Sequence, residues 1–228
     1  MKKLMLVVIL LQLAFSVQAE TLGQAVDAIE KEWAQVYYKN LPNPSAKYAH
    51  LLSKANALAK AYPTKSEPLL WQAVLIATDA DHQPPIKALE QINQARELLN
   101  RAIEIAPTGM NGAALVALGT LYYLTPPWPI AFGDTDKAQE LLSQALKVSP
   151  DSIDANYFYG DFLLSQNDTE QAARYFKKAL AVPSRKNQAF ADDNLKLQAK
   201  LALENASTRK LTNVKDNFLS FFNSTTVD

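Results

Sequence analysis

Small side chains recur at a fixed interval along the chain, and their spacing constrains the fold more than any other feature. Ala172 is followed by Phe176 four residues later, by Ala179 three residues after that, and soon by Pro183. Ala138 lies 34 residues before Ala172 and begins the same series. Equivalent sets are Ala138, Leu142, Ala145 and Pro150; Ala95, Leu99, Ala102 and Pro107; and a weaker copy, Leu51, Ala55, Leu58 and Pro63.

The spacing has a direct explanation in helix packing. Two antiparallel helices approach closely only where the facing residues are small, so Gly160 is predicted to face Ala172 and Ala179 on the next helix. Larger side chains such as Phe176 then fill the space on either side. A proline ends each pair because it cannot continue a helix and disfavours helical geometry in the preceding residue. The pattern predicts an all-α protein of stacked helical hairpins.

The series of small, aromatic or leucine, small and proline resembles the tetratricopeptide (TPR) repeat, a helix-turn-helix unit of 34 residues. The resemblance implies an α-solenoid of about four hairpins, at about 22–63, 67–107, 112–150 and 153–184, within a single domain of residues 20–228. C-terminal helices are expected over 187–222. In the first of them, Phe190, Leu197 and Leu201 are predicted to share the apolar side. The tail from Thr208 to Phe222 is either a packed final helix, which is favoured, or a docking patch.

The N-terminus has the pattern of a cleavable export signal. Lys2 and Lys3 precede an apolar run from Leu4 to about Phe15, and Val17-Gln18-Ala19 supplies the small residues that a signal peptidase recognises. The apolar run is shorter than the roughly 20 residues that span a bilayer, which disfavours a retained anchor. Cleavage is expected after Ala19, giving a secreted, periplasmic protein with no membrane anchor.

Composition narrows the possible functions. The chain has no cysteine, which excludes disulfides, thiolate metal sites and cysteine nucleophiles. Without residues 1–19 it carries 21 basic and 23 acidic residues. Such a balanced charge offers no field for nucleic acid, so a nucleic-acid partner is not expected.

Motifs for catalysis or cofactor binding are missing from the sequence. It has no nucleophile elbow, phosphate-binding loop, paired zinc histidines or dinucleotide fingerprint, and we expect neither an enzyme nor a cofactor. Asp79, Asp81 and His82 crowd one turn, but they lack the spacing of a metal site, and acidic residues are ordinary near helix ends. We therefore predict a structural role for them and no metal.

One insertion stands out as a candidate binding element. Gly119 and Ala138 are nineteen residues apart where Gly160 and Ala172 are twelve apart, and the extra residues form the proline-rich loop Thr125–Asp134. Its prolines stiffen the loop before any partner arrives. The aromatic rings of Trp128 and Phe132 in this loop either contact a ligand or merely cover the helical stack. The residues assigned to partner binding are Tyr122, Tyr123, Trp128, Phe132, Asn156 and Tyr157.

Two stretches, PPWPIAFGDTDKAQELLSQAL and NYFYGDFLL, resemble a group of exported proteobacterial TPR proteins, and more distantly the T-component of TRAP transporters. The first resemblance implies a periplasmic scaffold or adaptor that binds a peptide or protein on a concave helical surface. The second implies an alternative, a small-ligand-binding accessory of a TRAP-type transporter. An aromatic pocket closed on all sides would favour the small ligand, and an open groove lined by Asn, Lys and Tyr would favour the peptide.

Overall fold

The computed structural model describes residues 21–208 and shows helices throughout that range. The predicted signal peptide and the tail beyond Thr208 lie outside the described residues. The α-helices are α1 (Leu22–Tyr38), α2 (Pro44–Ala61), α3 (Glu67–Ala80), α4 (Pro85–Ile105), α5 (Ala113–Leu124), α6 (Thr135–Val148), α7 (Ile153–Ser165), α8 (Thr169–Ala181) and α9 (Ala189–Thr208). A 3-10 turn, Gly109–Gly112, precedes α5.

Consecutive helices pack as antiparallel hairpins: α1 with α2, α3 with α4, α5 with α6 and α7 with α8. The hairpins also pack on one another in chain order, through α2 with α3, α4 with α5 and α6 with α7. The prediction of an all-α, TPR-like solenoid is confirmed. The first helix of each hairpin faces the inside of the stack, and α9 follows the last hairpin.

The small residues lie where the helices cross, as the spacing predicts. Each alanine of the three strong copies is fully buried: Ala95, Ala102, Ala138, Ala145, Ala172 and Ala179. A Cβ atom on Gly160 would lie 2.9 Å from Cε1 of Phe176 and 3.3 Å from the carbonyl oxygen of Ala172. The predicted contact of Gly160 with Ala172 is confirmed. The nearest side chain to Gly160, however, is the Phe176 ring rather than Ala179, because the ring fills the space that the missing side chain leaves.

Helix α9 buries a different face from the predicted one. Leu197 and Leu201 were expected on its apolar side, yet they are 54% and 47% exposed. The buried apolar residues are Ala191, Leu195, Ala199 and Ala202. They recur every three or four positions and form a helical stripe. The expectation was wrong because it weighted the large leucines, whereas close packing on α7 and α8 requires the alanines.

The two ends of the solenoid touch. Helix α9 packs on α1 as well as on α7 and α8. The Phe190 ring lies edge-on to Tyr38, with centroids 6.3 Å apart, and beneath Nζ of Lys39 at 5.2 Å. Nearby, Nδ2 of Asn187 lies 3.4 Å from a carboxylate oxygen of Asp27. These contacts curve the row of hairpins around an interior space that stays partly open to solvent.

Side-chain caps fix the start of α6. The sequence leaves either Asp134 or Thr135 as the cap, and the structure assigns Asp134, whose Oδ1 accepts a hydrogen bond of 2.9 Å from the backbone nitrogen of Lys137. We expect Asp134→Ala to lower the free energy of unfolding by about 1 kcal/mol. Thr135→Ala should change it by only a few tenths. Urea denaturation followed by circular dichroism measures both, and equal effects would contradict the assignment.

Between residues 21 and 208, no helix combines the length and the apolar character needed to cross a membrane.

Candidate functional site

The interior space is a cavity of about 430 Å³. The first helix of every hairpin contributes to its wall, and α9 and the segment before it complete the wall on the side of α1. A space of this size falls within the range of ligand pockets in proteins. Its aromatic and charged lining residues are Glu30, Trp33, Tyr37, Tyr38, Trp71, Tyr123, Asp151, Asp154, Tyr157, Phe158, Asp161 and Arg185.

Aromatic rings from α1 and α3 form one continuous part of the wall. Trp33 stacks on Tyr37 with centroids 5.1 Å apart, and its ring meets Trp71 edge-on at 5.7 Å. Tyr38 lies edge-on to Tyr37 at 4.9 Å. The indole nitrogen of Trp33 donates to Oγ1 of Thr78 at 3.3 Å, which ties the two helices together. The result is a preorganised aromatic surface that costs little entropy when a ligand binds.

Carboxylates and one guanidinium form a charged cluster where α1, α7 and α9 meet. An Nη atom of Arg185 lies 2.5 Å from Asp192, 3.3 Å from Asp154 and 3.9 Å from Glu30. Burial raises the pKa of Glu30 to about 7, against the lowering effect of Arg185. Burial also raises the pKa of Asp154, again opposed by Arg185. One cation thus holds several desolvated acids together.

Tyrosine hydroxyls on α5 and α7 in the cavity wall remain protonated. Burial raises the pKa of Tyr123 well above its usual value, and the nearby Asp161 carboxylate raises it further. The Tyr123 hydroxyl donates to Oδ2 of Asp161 at 2.5 Å. Burial likewise raises the pKa of Tyr157, whose hydroxyl has no hydrogen-bond partner among residues 21–208. These tyrosines can act as hydrogen-bond donors at any physiological pH.

The turn before α5 carries unusual backbone geometry at the edge of the cavity. Met110 (φ 46°) and Asn111 (φ 57°) both adopt the left-handed conformation, followed by Gly112 (φ 79°). Only glycine adopts this region without cost, so each of the other two residues stores about 1 kcal/mol or more. Both Met110 and Asn111 line the cavity. Strain of this kind is common at ligand-binding elements.

The predicted site residues separate into four groups, of which the exposed Trp128 is one. Tyr123 and Tyr157 lie in the cavity wall. Tyr122 and Phe132 pack on each other instead, with ring centroids 5.4 Å apart, and the Arg96 guanidinium covers Phe132 at 4.3 Å. Asn156 is fully buried and donates to the backbone oxygens of Pro150 and Ser152. The set therefore does not form one continuous site.

The two aromatic rings of the proline-rich loop have different environments. Trp128 projects from the loop with 85% of its surface exposed, whereas Phe132 packs on Tyr122 and Arg96. Phe132 therefore covers the helical stack, whereas Trp128 does not. Gly133 closes the loop, because a Cβ atom there would lie 2.0 Å from the carbonyl oxygen of Thr125.

The crowded turn after α3 has local partners. Oδ2 of Asp79 accepts hydrogen bonds from the side-chain amides of Gln83 and Gln91 at 2.9 and 2.8 Å. The His82 ring stacks on Tyr48 with centroids 6.0 Å apart. Burial raises the pKa of Asp81 to about 8. Among the described residues, no group of three or more acidic or histidine side chains has the arrangement of a metal site.

Comparison with known proteins finds a family match for part of the chain. Residues 130–185 match the tetratricopeptide repeat family. They comprise the end of the loop, α6, α7 and α8. The crystal structure of yeast Tom70 is similar at 20% sequence identity and a TM-score of 0.42, over 88% of this chain and 36% of that one. This chain thus spans about a third of that structure. Comparison with curated proteins gives no match.

Sequence reasoning missed most of the residues that line the cavity. Most of its aromatic surface comes from α1, where the repeat signature is faintest, and Trp71 of α3 completes it. The available signal was the series Glu30, Trp33 and Tyr37, at helical spacing along one face. Arg185 lies in a short connection, and although its nearest partner Asp192 is close in sequence, Glu30 and Asp154 are distant, so no local pattern could place Arg185 in the cavity wall.

Proposed function

We propose that this chain is an exported interaction module that holds a segment of a partner protein in the cavity between the first helices of its hairpins. The observation that carries the proposal is the preorganised aromatic wall of Trp33, Tyr37, Tyr38 and Trp71 inside a tetratricopeptide-type fold. Proteins of this repeat class are generally non-enzymatic scaffolds that bind other proteins. Periplasmic location is part of the proposal and rests on the signal sequence Met1 to Ala19.

A small organic ligand is the second candidate, because the aromatic lining and the volume of about 430 Å³ are features expected of a small-ligand pocket, although the cavity is not closed on all sides as such a pocket would be. The chain would then be a carrier or an accessory of a transport system. The link to a transporter rests on sequence resemblance alone. A mass-spectrometric search for a compound that copurifies with the folded protein distinguishes this candidate from a protein partner.

Filling the cavity tests the proposal. Ala117 is a half-buried cavity residue on α5, and Ala117→Trp would place an indole in the open space. Ala57→Trp adds the same ring to the exposed face of α2 and serves as the control. We expect Ala117→Trp to reduce the amount of partner protein captured from periplasmic extract by at least tenfold. Ala57→Trp should leave that amount unchanged.

The exposed loop provides a third variant. If Trp128→Ala, and not Ala117→Trp, abolishes capture while helical content is unchanged, the binding surface is the loop and the cavity assignment is wrong. Because Trp128 is 85% exposed, its replacement should alter the free energy of unfolding by less than about 0.5 kcal/mol. A large loss of thermal stability would instead give the loop ring a structural role.

A further inference from the structure

The charge of the cavity wall is strongly asymmetric. Among the described residues that line it, four are acidic, Glu30, Asp151, Asp154 and Asp161, whereas Arg185 is the single basic side chain. Arg185 is itself engaged by Asp192, at 2.5 Å. The chain as a whole carries equal numbers of acidic and basic residues, so this excess is local. A negatively charged interior disfavours anions and attracts cations.

Burial of the acidic side chains strengthens the preference for cations. The Glu30 side chain is only 11% exposed. Desolvation raises the pKa values of both Glu30 and Asp154, which means that their charged forms lack sufficient compensation. The groups facing Glu30 are Arg185, Asp27, Asp154, Asp192 and the amide of Gln188. Only one of them is a cation, so a second positive charge beside these acids would be stabilised.

Aromatic faces lie beside the same acids. Glu30, Trp33 and Tyr37 follow one another along α1 at helical spacing, and all three line the cavity. The carboxylates of Glu30 and Asp154 lie 3.9 and 3.3 Å from the same nitrogen of Arg185, so the two acids are close together beside this part of α1. Cations bind the faces of tryptophan and tyrosine rings within about 6 Å of the centroid, more strongly when water is excluded.

A buried hydroxyl adds a polar contact. Tyr157 is 1% exposed, lies in the cavity wall, and its hydroxyl has no hydrogen-bond partner among residues 21–208. A buried polar group without a partner costs free energy unless a ligand or water satisfies it. A peptide carbonyl next to a bound side chain would accept a hydrogen bond from it. The wall thus combines negative charge, aromatic faces and a donor.

We propose that the cavity binds the ammonium or guanidinium group of a lysine or arginine side chain, between the rings of Trp33, Tyr37 and Trp71 and the carboxylates of Glu30, Asp154 and Asp161. The inference rests on the proposed function and specifies the part of the partner that enters the cavity. The apolar stem of the basic side chain contacts the rings, and its charged end reaches the acids. A free organic amine offers the same chemistry, and the test separates the two sources.

The three tryptophans of the chain make the test direct. Trp33 and Trp71 line the cavity, whereas Trp128 lies on the loop. In the full chain carrying Trp128→Phe, tryptophan emission reports the cavity alone. Three probes are titrated at about pH 8: a capped Ala-Lys-Ala peptide, its capped Ala-norleucine-Ala analogue, which lacks the charge, and butylammonium. We expect the lysine peptide to bind at least tenfold more tightly than the norleucine peptide.

Charge-neutralising variants assign the effect to the cavity. Glu30→Gln and Asp161→Asn keep the shape of each side chain and one of its two oxygens but remove the negative charge, and each should weaken binding of the lysine peptide by about tenfold. Glu97→Gln, on the exposed face of α4, is the matched control and should leave affinity unchanged. Circular dichroism confirms that each variant is folded. An equal loss with Glu97→Gln would reveal non-specific surface attraction and overturn the proposal.

The remaining outcomes are also decisive. Equal binding of the lysine and norleucine peptides, or no binding of any probe, overturns the cation site. If Ala117→Trp still abolishes partner capture in that case, the proposed function stands and only this inference fails. Tighter binding of butylammonium than of the lysine peptide keeps the cation chemistry but identifies a free amine as the ligand, which contradicts the protein segment.

Discussion

Replacing Phe176 by alanine is expected to lower the free energy of unfolding by about 3–5 kcal/mol. The ring is fully buried at the crossing of α7 and α8, where Gly160 leaves room for it. Its centroid lies 5.8 Å from that of Tyr157. Alanine would leave a cavity that backbone movement cannot fill, because Ala172 and Ala179 already hold the helices at minimum separation.

Urea denaturation followed by far-ultraviolet circular dichroism measures this loss. Lys177→Ala is the matched control, since Lys177 is the exposed neighbour on the same helix, and it should change the free energy of unfolding by less than about 0.5 kcal/mol. A loss below about 1 kcal/mol for Phe176→Ala would show that the α7–α8 crossing does not depend on the ring. A two-step transition would show that the last hairpin unfolds separately from the rest.

Replacing Arg185 by methionine is expected to destabilise the fold by about 2 kcal/mol at about pH 8. The apolar stem is retained, but Asp192, which is 1% exposed, loses its cation, as do Glu30 and Asp154. The expected loss is smaller than for a fully buried pair because 44% of the Arg185 side chain is exposed. Lys186→Met, at the exposed neighbouring position, is the control.

The pH dependence of this effect has a definite sign. The pKa of Glu30 is raised from 4.5 to about 7 in the folded protein. Its contribution to stability is therefore complete below about pH 4.5 and is lost as pH rises through about 7. Without Arg185 the ionised form is opposed even more strongly, so Arg185→Met should cost more at pH 8 than at pH 5. Equal losses at both pH values would contradict the role of Arg185 as the counter-charge of Glu30.

The helical repeats were predictable because their cause is local. Helix crossings need small residues at fixed spacings. These spacings are visible in the sequence at Ala138, Ala145, Ala172 and Ala179. The prediction for α9 is wrong because the large leucines indicate a face of the helix that is exposed. Leu197 and Leu201 are exposed, and the smaller Ala199 and Ala202 make the contact.

The cavity could not be predicted in the same way, because it depends on residues that are far apart in sequence. Glu30 and Arg185 meet only after the whole row of hairpins has curved. Of the predicted binding residues, Tyr123 and Tyr157 line the cavity, while Trp128 lies on an exposed loop. A repeat pattern specifies how neighbours pack, but not the total curvature, which accumulates from small rotations at each step.

Contact between α1 and α9 also fixes the number of repeats. Open superhelices of this class can gain or lose a unit and merely become longer or shorter, since each unit touches only its neighbours. Here an inserted hairpin would push Asp27 and Glu30 out of reach of Asn187 and Arg185 and would dismantle the cavity wall. Duplication of a unit is the usual route by which repeat proteins diversify. In this protein it would destroy the cavity.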